Sequence, residues 1–452
     1  MKRKFSIPVM SAVILAATSL QAQQPVKLIT LDPGHFHAAL VQKSMYPQVD
    51  PTVHVYAPKG NDVQMHLDKI NGYNTAASNP THWKEVVYTG NDYLEKMLKE
   101  KKGNVVVLAG NNRLKTDYIL SSVKAGLNVF ADKPMVIDPS GFEKLKQAFA
   151  VAEKNKVLLY DIMTERYEIT TILQRAFSME PSVFGTLTKG TPEQPAVTKE
   201  SVHHFYKYVS GSVLTRPAWF FDVTQEGEGI VDVTTHLVDL VQWECFPEVT
   251  LDYRKDIHIN NSKSWPTRMT KAQFSEVTKE QNLPAYLKKV ADKQDNISVM
   301  SNGEINYTIK GVHAKVSVIW NYKAPEGTGD THYSIMRGTK ANLVIRQAAE
   351  QQYKPTLYIE PLSDSPAYEK TLQDAVSKIN AKYKGVTLKK NAKGWEVIIP
   401  EVFKEGHESH FARVTEKYLD YLAHHNMPAW EVPNMIAKYY TTTQAQKLAT
   451  KK

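Results

Sequence analysis

One short stretch of the chain carries three side chains that can move or hold a proton. The segment GEGIVDVTTHLVDL (residues 227–240) contains Asp232, His236 and Asp239, at spacings of four and three residues. Residues three and four apart share one face of an α-helix, so the spacing predicts two carboxylates in a row with an imidazole. Histidine titrates near neutral pH and is the most frequent general acid or base. The row is typical either of an acid/base site or of a helix with a solvated polar face.

A lysine follows an apolar run in the segment NVFADKPM (residues 128–135). Asp132, Lys133 and Pro134 come directly after a predicted strand. The proline restricts the backbone and holds the lysine at the strand end, which is where ligands of parallel sheets bind. A lone lysine in this place is most often a surface residue. Beside a histidine base, it would instead stabilise a developing alkoxide on a substrate.

The turn after the first predicted strand, LDPGHFHAAL, has one glycine where a dinucleotide-binding turn usually has three. Asp32 takes the place of the first glycine, Gly34 is the second, and His37 takes the place of the third. Three interpretations stay open at this point. The turn is an altered nucleotide site, or His35 and His37 are structural, or they bind a metal ion, which needs more ligands than two.

The elements that must position these residues fall into two groups. From residue 26 to about residue 161, short apolar runs alternate with amphipathic segments, which predicts an α/β unit with a doubly wound, Rossmann-like parallel sheet. After residue 166, alternating strands rich in Thr, Tyr and Val predict an α+β unit with a large, open, mainly antiparallel sheet. We expect a dinucleotide-binding domain over residues 23–162, and a substrate-binding and oligomerisation domain over 163–452 that ends in two helices. The polar segment 255–295 is predicted to be a surface excursion.

The first 22 residues have the pattern of an export signal, with a basic start, a short apolar stretch and a small residue at the end. We therefore expect a soluble periplasmic protein, since no later apolar run is long enough for a membrane helix. Cys245 is the only cysteine, so an internal disulfide is excluded. The formal net charge is +9, but the basic residues are scattered, which argues against nucleic acid or a membrane as the partner.

Taken in order, these motifs resemble the Gfo/Idh/MocA family of sugar and inositol oxidoreductases. The resemblance rests on Asp-Lys-Pro after a strand, on the Arg166-Tyr167 pair after the next strand, and on the segment RPAWFFDVTQEGEGIVDVTTHLVDL. It runs over roughly residues 26–350, and the remaining part is similar to the extended C-terminal domain of exported Bacteroidetes members. The family resemblance implies NAD or NADP as a tightly held cofactor, no bound metal ion, and assembly into a homo-oligomer.

The resemblance also assigns roles to individual residues. In the family, a lysine and a helix histidine meet over the nicotinamide. By this resemblance the catalytic residues are His236, Lys133 and Asp232. The cofactor-binding residues are Gly34, His35, His37, Asn112, Asp132 and Lys133. The substrate-binding residues are Arg166, Tyr167, Trp219 and Asp239. The poor glycine turn departs from the family pattern, and so does Ala57, which stands where an acid usually binds the adenosine ribose.

The resulting expectation is a periplasmic NAD(P)-dependent dehydrogenase that acts on a CH–OH group of a sugar or glycoside. Oxidation at C3, which gives a 3-keto-glycoside, is the favoured reaction within that class. Two alternatives stand beside it. One is a redox-neutral, NAD-dependent glycosidase or lyase that forms a keto-sugar transiently on its bound cofactor, and the other is a non-catalytic sugar-binding protein that has lost the nucleotide site.

Overall fold

The computed structural model describes residues 25–209, 212–326, 328–363 and 365–450. The predicted export signal lies outside these residues. The first unit is a six-stranded parallel sheet in the order β3-β2-β1-β4-β5-β6. Its strands are β1 (Leu28–Leu31), β2 (Thr52–Tyr56), β3 (Lys84–Tyr88), β4 (Val105–Leu108), β5 (Asn128–Asp132) and β6 (Leu159–Ile162). The helices between them are α1 (His37–Leu40), α2 (Asn61–Asn74), α3 (Tyr93–Glu100), α4 (Lys115–Lys124) and α5 (Pro139–Asn155).

The central strands of this sheet are apolar because both of their faces are covered. Every residue of β1 and β4 is buried, as expected for parallel strands packed between layers of helices. The strand order reverses between β1 and β4, and ligands of such sheets bind in the crevice at the carboxyl ends beside this switch point. The turns after β1, β4 and β5 therefore meet at one edge, which brings the predicted turn and lysine motifs together.

The second unit is built on a nine-stranded sheet in the order β10-β11-β12-β7-β13-β14-β15-β17-β16. Its strands are β7 (Val197–Tyr206), β10 (Ile257–Met269), β11 (Ile297–Ile309), β12 (Val312–Lys323), β13 (Thr331–Arg337), β14 (Ala341–Arg346), β15 (Thr356–Pro361), β16 (Thr387–Asn391) and β17 (Gly394–Ile398), while β8 (Tyr208–Val209) and β9 (Ser212–Val213) form a small ribbon. Strands β7 and β12 are parallel and all other pairs in the nine-stranded sheet are antiparallel. The predicted fold class is confirmed.

The helices of the second unit cover one side of the large sheet and reach back to the first unit. They are α6 (Ile169–Ser178), α7 (Thr234–Cys245), α8 (Tyr253–Asp256), α9 (Lys271–Thr278), α10 (Pro366–Ile379), α11 (His407–His424) and α12 (Glu431–Ala449). In α11, Tyr418 stacks on Phe130 of β5 with ring centroids 4.4 Å apart. In α12, the Ala445 carbonyl accepts a hydrogen bond from Ser262 of β10. The two predicted C-terminal helices thus tie both sheets together.

The prediction for residues 255–295 is wrong in its first part. Residues 257–269 form β10, a 13-residue edge strand paired with β11 along its length. Its Lys, Asn and Ser side chains suit a strand with a solvated edge, where polar residues prevent further strand pairing. Composition alone therefore indicated a loop where an edge strand lies. Within the described residues, no helix is long and apolar enough to cross a membrane.

Candidate active site

A cavity of about 600 Å³ lies between the carboxyl edge of the parallel sheet and the nine-stranded sheet. One wall carries His35, His37, Lys133, Asp232 and His236. The opposite wall comes from the large sheet and its loops. The fold therefore brings the turn motif, the strand-end lysine and part of the predicted helix motif, which are far apart in sequence, to one space large enough for a small ligand.

Lys133 and Asp232 form a buried ion pair across the two units, with the ammonium nitrogen Nζ against Oδ1 of Asp232. A cis peptide bond joins Lys133 to Pro134. Burial opposes charge on Lys133, but the carboxylates of Asp232 and Asp132 outweigh it and raise the pKa of the lysine. The lysine is therefore positively charged at neutral pH, and it lies on the wall of the cavity.

His236 lies in the first turn of α7, which begins at Thr234, so Asp232 precedes the helix instead of lying on it. The Nδ1 atom of His236 is buried and has no hydrogen-bond partner among the described residues. Burial, with a further contribution from the Lys133 charge, lowers the pKa of His236 well below its usual value. A neutral imidazole that lines the cavity is a suitable proton acceptor.

Asp239 and Arg166 form a separate buried network and do not line the cavity. Arg166 donates to the two carboxylate oxygens of Asp239 over 2.6 and 2.7 Å, and to Glu431 over 3.0 Å. Lys438 of α12 donates to Asp239 over 2.8 Å. The helix spacing predicted that His236 and Asp239 act together, but the two side chains face different places. His236 lines the cavity, whereas Asp239 links α7 to α12. Tyr167, beside Arg166, is partly buried against the core of the first unit.

Asn112 and Glu226 connect the parallel sheet to the loop before α7. The side-chain amide of Asn112 donates to the Glu226 carbonyl over 2.8 Å and to its carboxyl group over 3.0 Å. Burial, reinforced by the negative charge of Asp232, raises the pKa of Glu226 well above its usual value. The surroundings of Glu226 therefore disfavour its charged form, and its side chain lines the cavity beside Asp232. Sequence reasoning missed Glu226, whose only signal was its place in the quoted segment.

The backbone amides of the turn after β1 are already hydrogen-bonded within the protein. The backbone amides of Gly34 and His35 both donate to the Ala109 carbonyl over 3.2 Å. Asp32 has a positive φ of 48° and accepts a hydrogen bond from Tyr118. Trp219 of the second unit donates to Asp62 over 2.7 Å, and a side chain at Gly34 would touch both. Trp219 therefore packs on the turn, and it does not line the cavity where a substrate was predicted to stack on it.

The far wall of the cavity is formed by residues of β7, of β12 and of the loop before β13. Asp330 accepts hydrogen bonds from His203, His204 and Lys207 over 2.8–3.1 Å. Trp320 lies beside His203, with ring centroids 5.1 Å apart. Trp320 is buried, with its indole ring stacked on Phe205, so the polar group around Asp330 is the part of this wall that suits the hydroxyl groups of a sugar. No sequence motif marks Asp330 or Trp320, because the residues of this wall converge only when β12 pairs with β7 and the loop before β13 folds beside them.

Two family models match most of the chain. One, described as "Putative oxidoreductase C terminal domain", covers residues 173–450. The other, described as the oxidoreductase family with NAD-binding Rossmann fold, GFO_IDH_MocA, covers residues 52–161. The fold and these matches define the class as Rossmann-fold oxidoreductases. The chain belongs to the Gfo/Idh/MocA oxidoreductase family, as its motifs predicted.

Among solved structures, one described as a "putative oxidoreductase" from Parabacteroides merdae is 56% identical, with a TM-score of 0.92, and the match covers 95% of this chain and 98% of that one. A levoglucosan dehydrogenase in complex with NADH and levoglucosan is 10% identical, with a TM-score of 0.58 and coverage of 95% and 98%. A biliverdin reductase from Synechocystis with biliverdin and NADP+ is 9% identical, with a TM-score of 0.57 and coverage of 94% and 99%. The last two likenesses show the shared fold. A search of curated proteins finds no match.

The predicted cofactor class, NAD or NADP, is confirmed at the level of the family. The residues fit the nicotinamide end of such a cofactor, since Asn112 Oδ1 is buried and has no hydrogen-bond partner in the described parts of the chain. The pyrophosphate end departs from the family. Its two turn amides are bonded to Ala109, and the carboxyl groups of Asp32 and Asp62 stand beside them. The match to the NAD-binding model begins at residue 52, after this turn.

Proposed function

We propose that the protein is a periplasmic oxidoreductase that acts on a ring hydroxyl of a sugar or glycoside, with oxidation at C3 of a glucoside as the preferred reaction. The observation that carries the proposal is the convergence of a charged lysine and a neutral, buried histidine on one cavity. Lys133 and His236 come from different units of the fold. Their types and protonation states match the needs of proton transfer from an alcohol.

Each side chain of the site has a separate role in the proposed reaction. His236 accepts the hydroxyl proton, because burial keeps its imidazole neutral. Lys133 places a positive charge beside the oxygen and stabilises the alkoxide that develops. Asp232 orients the lysine through the buried ion pair. The polar group around Asp330, with the buried Trp320 packed behind it, would hold the sugar ring from the opposite wall.

A nicotinamide cofactor, when bound, would accept the hydride from the same carbon. Asn112, Asp132 and Lys133 follow β4 and β5 at the edge where the nicotinamide end of a dinucleotide binds in this fold. Gly34, His35 and His37 were predicted to bind the cofactor as well. They remain candidates because they directly follow β1 at the ligand-binding edge of the sheet. The amides of Gly34 and His35 already donate to Ala109, and the His37 imidazole already lies 2.9 Å from Asp132.

The closed turn favours a second candidate, a cofactor-independent lyase that acts on a keto-sugar supplied to it. A ketone acidifies the neighbouring C–H, so that loss of this proton can expel a leaving group from the next carbon. His236 and Lys133 would serve this reaction in the same roles. The carboxyl groups of Asp32 and Asp62 next to the turn are the specific observation, since they oppose a bound pyrophosphate.

The location and assembly are also part of the proposal. The basic and apolar leader over residues 1–22 supports export to the periplasm. The open face of the nine-stranded sheet supports a homo-oligomer, since such a face is a usual place for a second copy to pack. Scattered basic residues support a small-molecule partner and neither nucleic acid nor a membrane.

The test of the redox proposal is mass spectrometry of the protein purified from the periplasm and then denatured. Near-stoichiometric release of NAD or NADP would support the oxidoreductase and identify its cofactor. No released nucleotide, together with no change in melting temperature on addition of NAD or NADP, would overturn it in favour of a sugar-binding protein or of the cofactor-independent lyase. His236→Gln is the matched variant, because it should keep cofactor binding and lose turnover.

A further inference from the structure

The turn between β1 and α1 brings two imidazoles to one carboxylate. Nδ1 of His37 lies 2.9 Å from Oδ2 of Asp132, and Nδ1 of His35 lies 3.3 Å from the same atom. One ligand atom from each of the three residues falls within 4.8 Å of the others. We propose that His35, His37 and Asp132 bind a divalent transition-metal ion, of which Zn²⁺ is the best match.

The ligand set supports this assignment. Two neutral imidazoles and one carboxylate are the protein ligands of many catalytic zinc sites, which keep a fourth position for water or substrate. Ligand atoms around a tetrahedral zinc ion stand about 3.4 Å apart, as bond lengths of about 2.0–2.1 Å require. The observed separations of 2.9 and 3.3 Å from Asp132 need to widen by only a few tenths of an ångström.

The protonation states are those that a metal ion needs. Burial lowers the pKa of His35 and, more strongly, that of His37, so both rings are neutral at neutral pH. Burial alone would favour protonation of Asp132, but the two facing histidines hold its pKa well below the usual range. A metal site requires deprotonated ligands, and this one has them before any ion binds.

The surroundings hold the three side chains in place. The ring of His37 packs against Phe411 of α11, with centroids 4.5 Å apart. Lys115 donates to the backbone carbonyl of Asp132 over 3.2 Å, which fixes the end of β5. Contacts of this kind orient metal ligands in known sites. The Nδ1 atom of His35 is buried and makes no well-directed hydrogen bond within the described residues, so an ion would satisfy it.

The position gives the ion a chemical role. His35 and His37 line the same cavity as Lys133 and His236, so the open coordination positions face the space where a sugar would bind. A divalent ion polarises a hydroxyl or carbonyl oxygen and lowers the barrier to removal of a neighbouring proton. The inference goes beyond the proposed function and does not depend on it.

Metal binding is tested on the mature chain after dialysis against a chelator, without any substrate. Zn²⁺ binding is measured by calorimetry, and Co²⁺ binding by its visible absorption spectrum. We expect one ion per chain, a rise in melting temperature with Zn²⁺, and a Co²⁺ spectrum typical of nitrogen and oxygen ligands. His37→Ala and Asp132→Asn should weaken binding by more than the roughly 10–100-fold that follows loss of an outer partner. His82→Ala removes an exposed histidine elsewhere and should change nothing.

Two results would overturn the proposal. The first is the lack of saturable Zn²⁺ or Co²⁺ binding by the unaltered chain, a measurement that does not depend on whether a variant folds. The second is an unchanged affinity in a folded His37→Ala or Asp132→Asn protein. Neither result bears on the roles of Lys133 and His236, so the failure of this inference and that of the proposed function can be told apart.

Discussion

Removal of the Lys133 charge should change both the rate of the reaction and the titration of His236. In the structure, the ammonium group of Lys133 is one of the causes that lower the pKa of His236, after burial itself. The substitution Lys133→Met removes this charge and keeps most of the side-chain volume. We therefore expect the pKa of His236 to rise, while burial still keeps it below the usual value.

The magnitude for catalysis follows from the proposed role of the lysine. A positioned donor that stabilises a developing oxyanion contributes about 2.7–4 kcal/mol, which corresponds to about a 100–1000-fold loss of kcat when it is removed. The acidic limb of the pH profile of kcat/KM should also move to higher pH, because His236 must be neutral to accept a proton. Lys133→Arg keeps the charge and should leave this limb nearly unchanged.

The pKa can be measured without a substrate by NMR of histidine labelled with ¹³C at Cε1, with His236→Gln to assign the resonance. Lys207→Met is the matched control. It removes a cavity lysine on the opposite wall that influences His407 and is absent from the main causes acting on His236. If Lys133→Met left the pKa of His236 unchanged or lowered it, in a protein that folds normally, the electrostatic coupling described here would be refuted.

Three further predictions concern groups around the site. Arg166→Met should lower the free energy of unfolding by about 3–5 kcal/mol, measured by urea denaturation, because it leaves the buried carboxylates of Asp239 and Glu431 without their shared cation. Burial raises the pKa of Asp62 to about 6, so the folded state holds this proton more tightly than the unfolded chain, and stability should fall as the pH rises from about 4 to about 6. Asp62→Asn should remove that part of the slope in melting temperature against pH. Glu226→Gln should retain the melting temperature, because the amide oxygen can still accept from Asn112 and the site already disfavours a charged carboxylate, whereas Glu226→Ala should lower it by leaving Asn112 without its side-chain acceptor.

Local patterns predicted the parallel sheet well, because its buried strands are almost purely apolar and alternate with amphipathic helices. The strand-end position of Lys133 followed from the same pattern, since strand ends share one edge in such a sheet. The spacing of His236 and Asp239 correctly placed both on α7. It did not show which neighbours each would face.

The remaining parts of the site depend on contacts between residues far apart in the sequence. Asp239 pairs with Arg166 and with Lys438, 73 and 199 positions away, and no local spacing carries that information. Trp320 and Asp330 reach the cavity only through the pairing of β7 with β12 and β13. The contact of His37 with Asp132 likewise joins the ends of two strands, which is why two histidines alone left the metal interpretation undecided.

Product analysis tests the central claim most directly. Glucosides are incubated with the protein and NAD+, and the products are identified by NMR and mass spectrometry for the unaltered chain and for His236→Gln. We expect the unaltered chain to form a 3-keto-glycoside together with an equal amount of NADH. We expect His236→Gln to form neither product. Turnover that His236→Gln leaves unchanged would contradict the assignment of the base, and the lack of any product from sugars or glycosides would contradict the function itself.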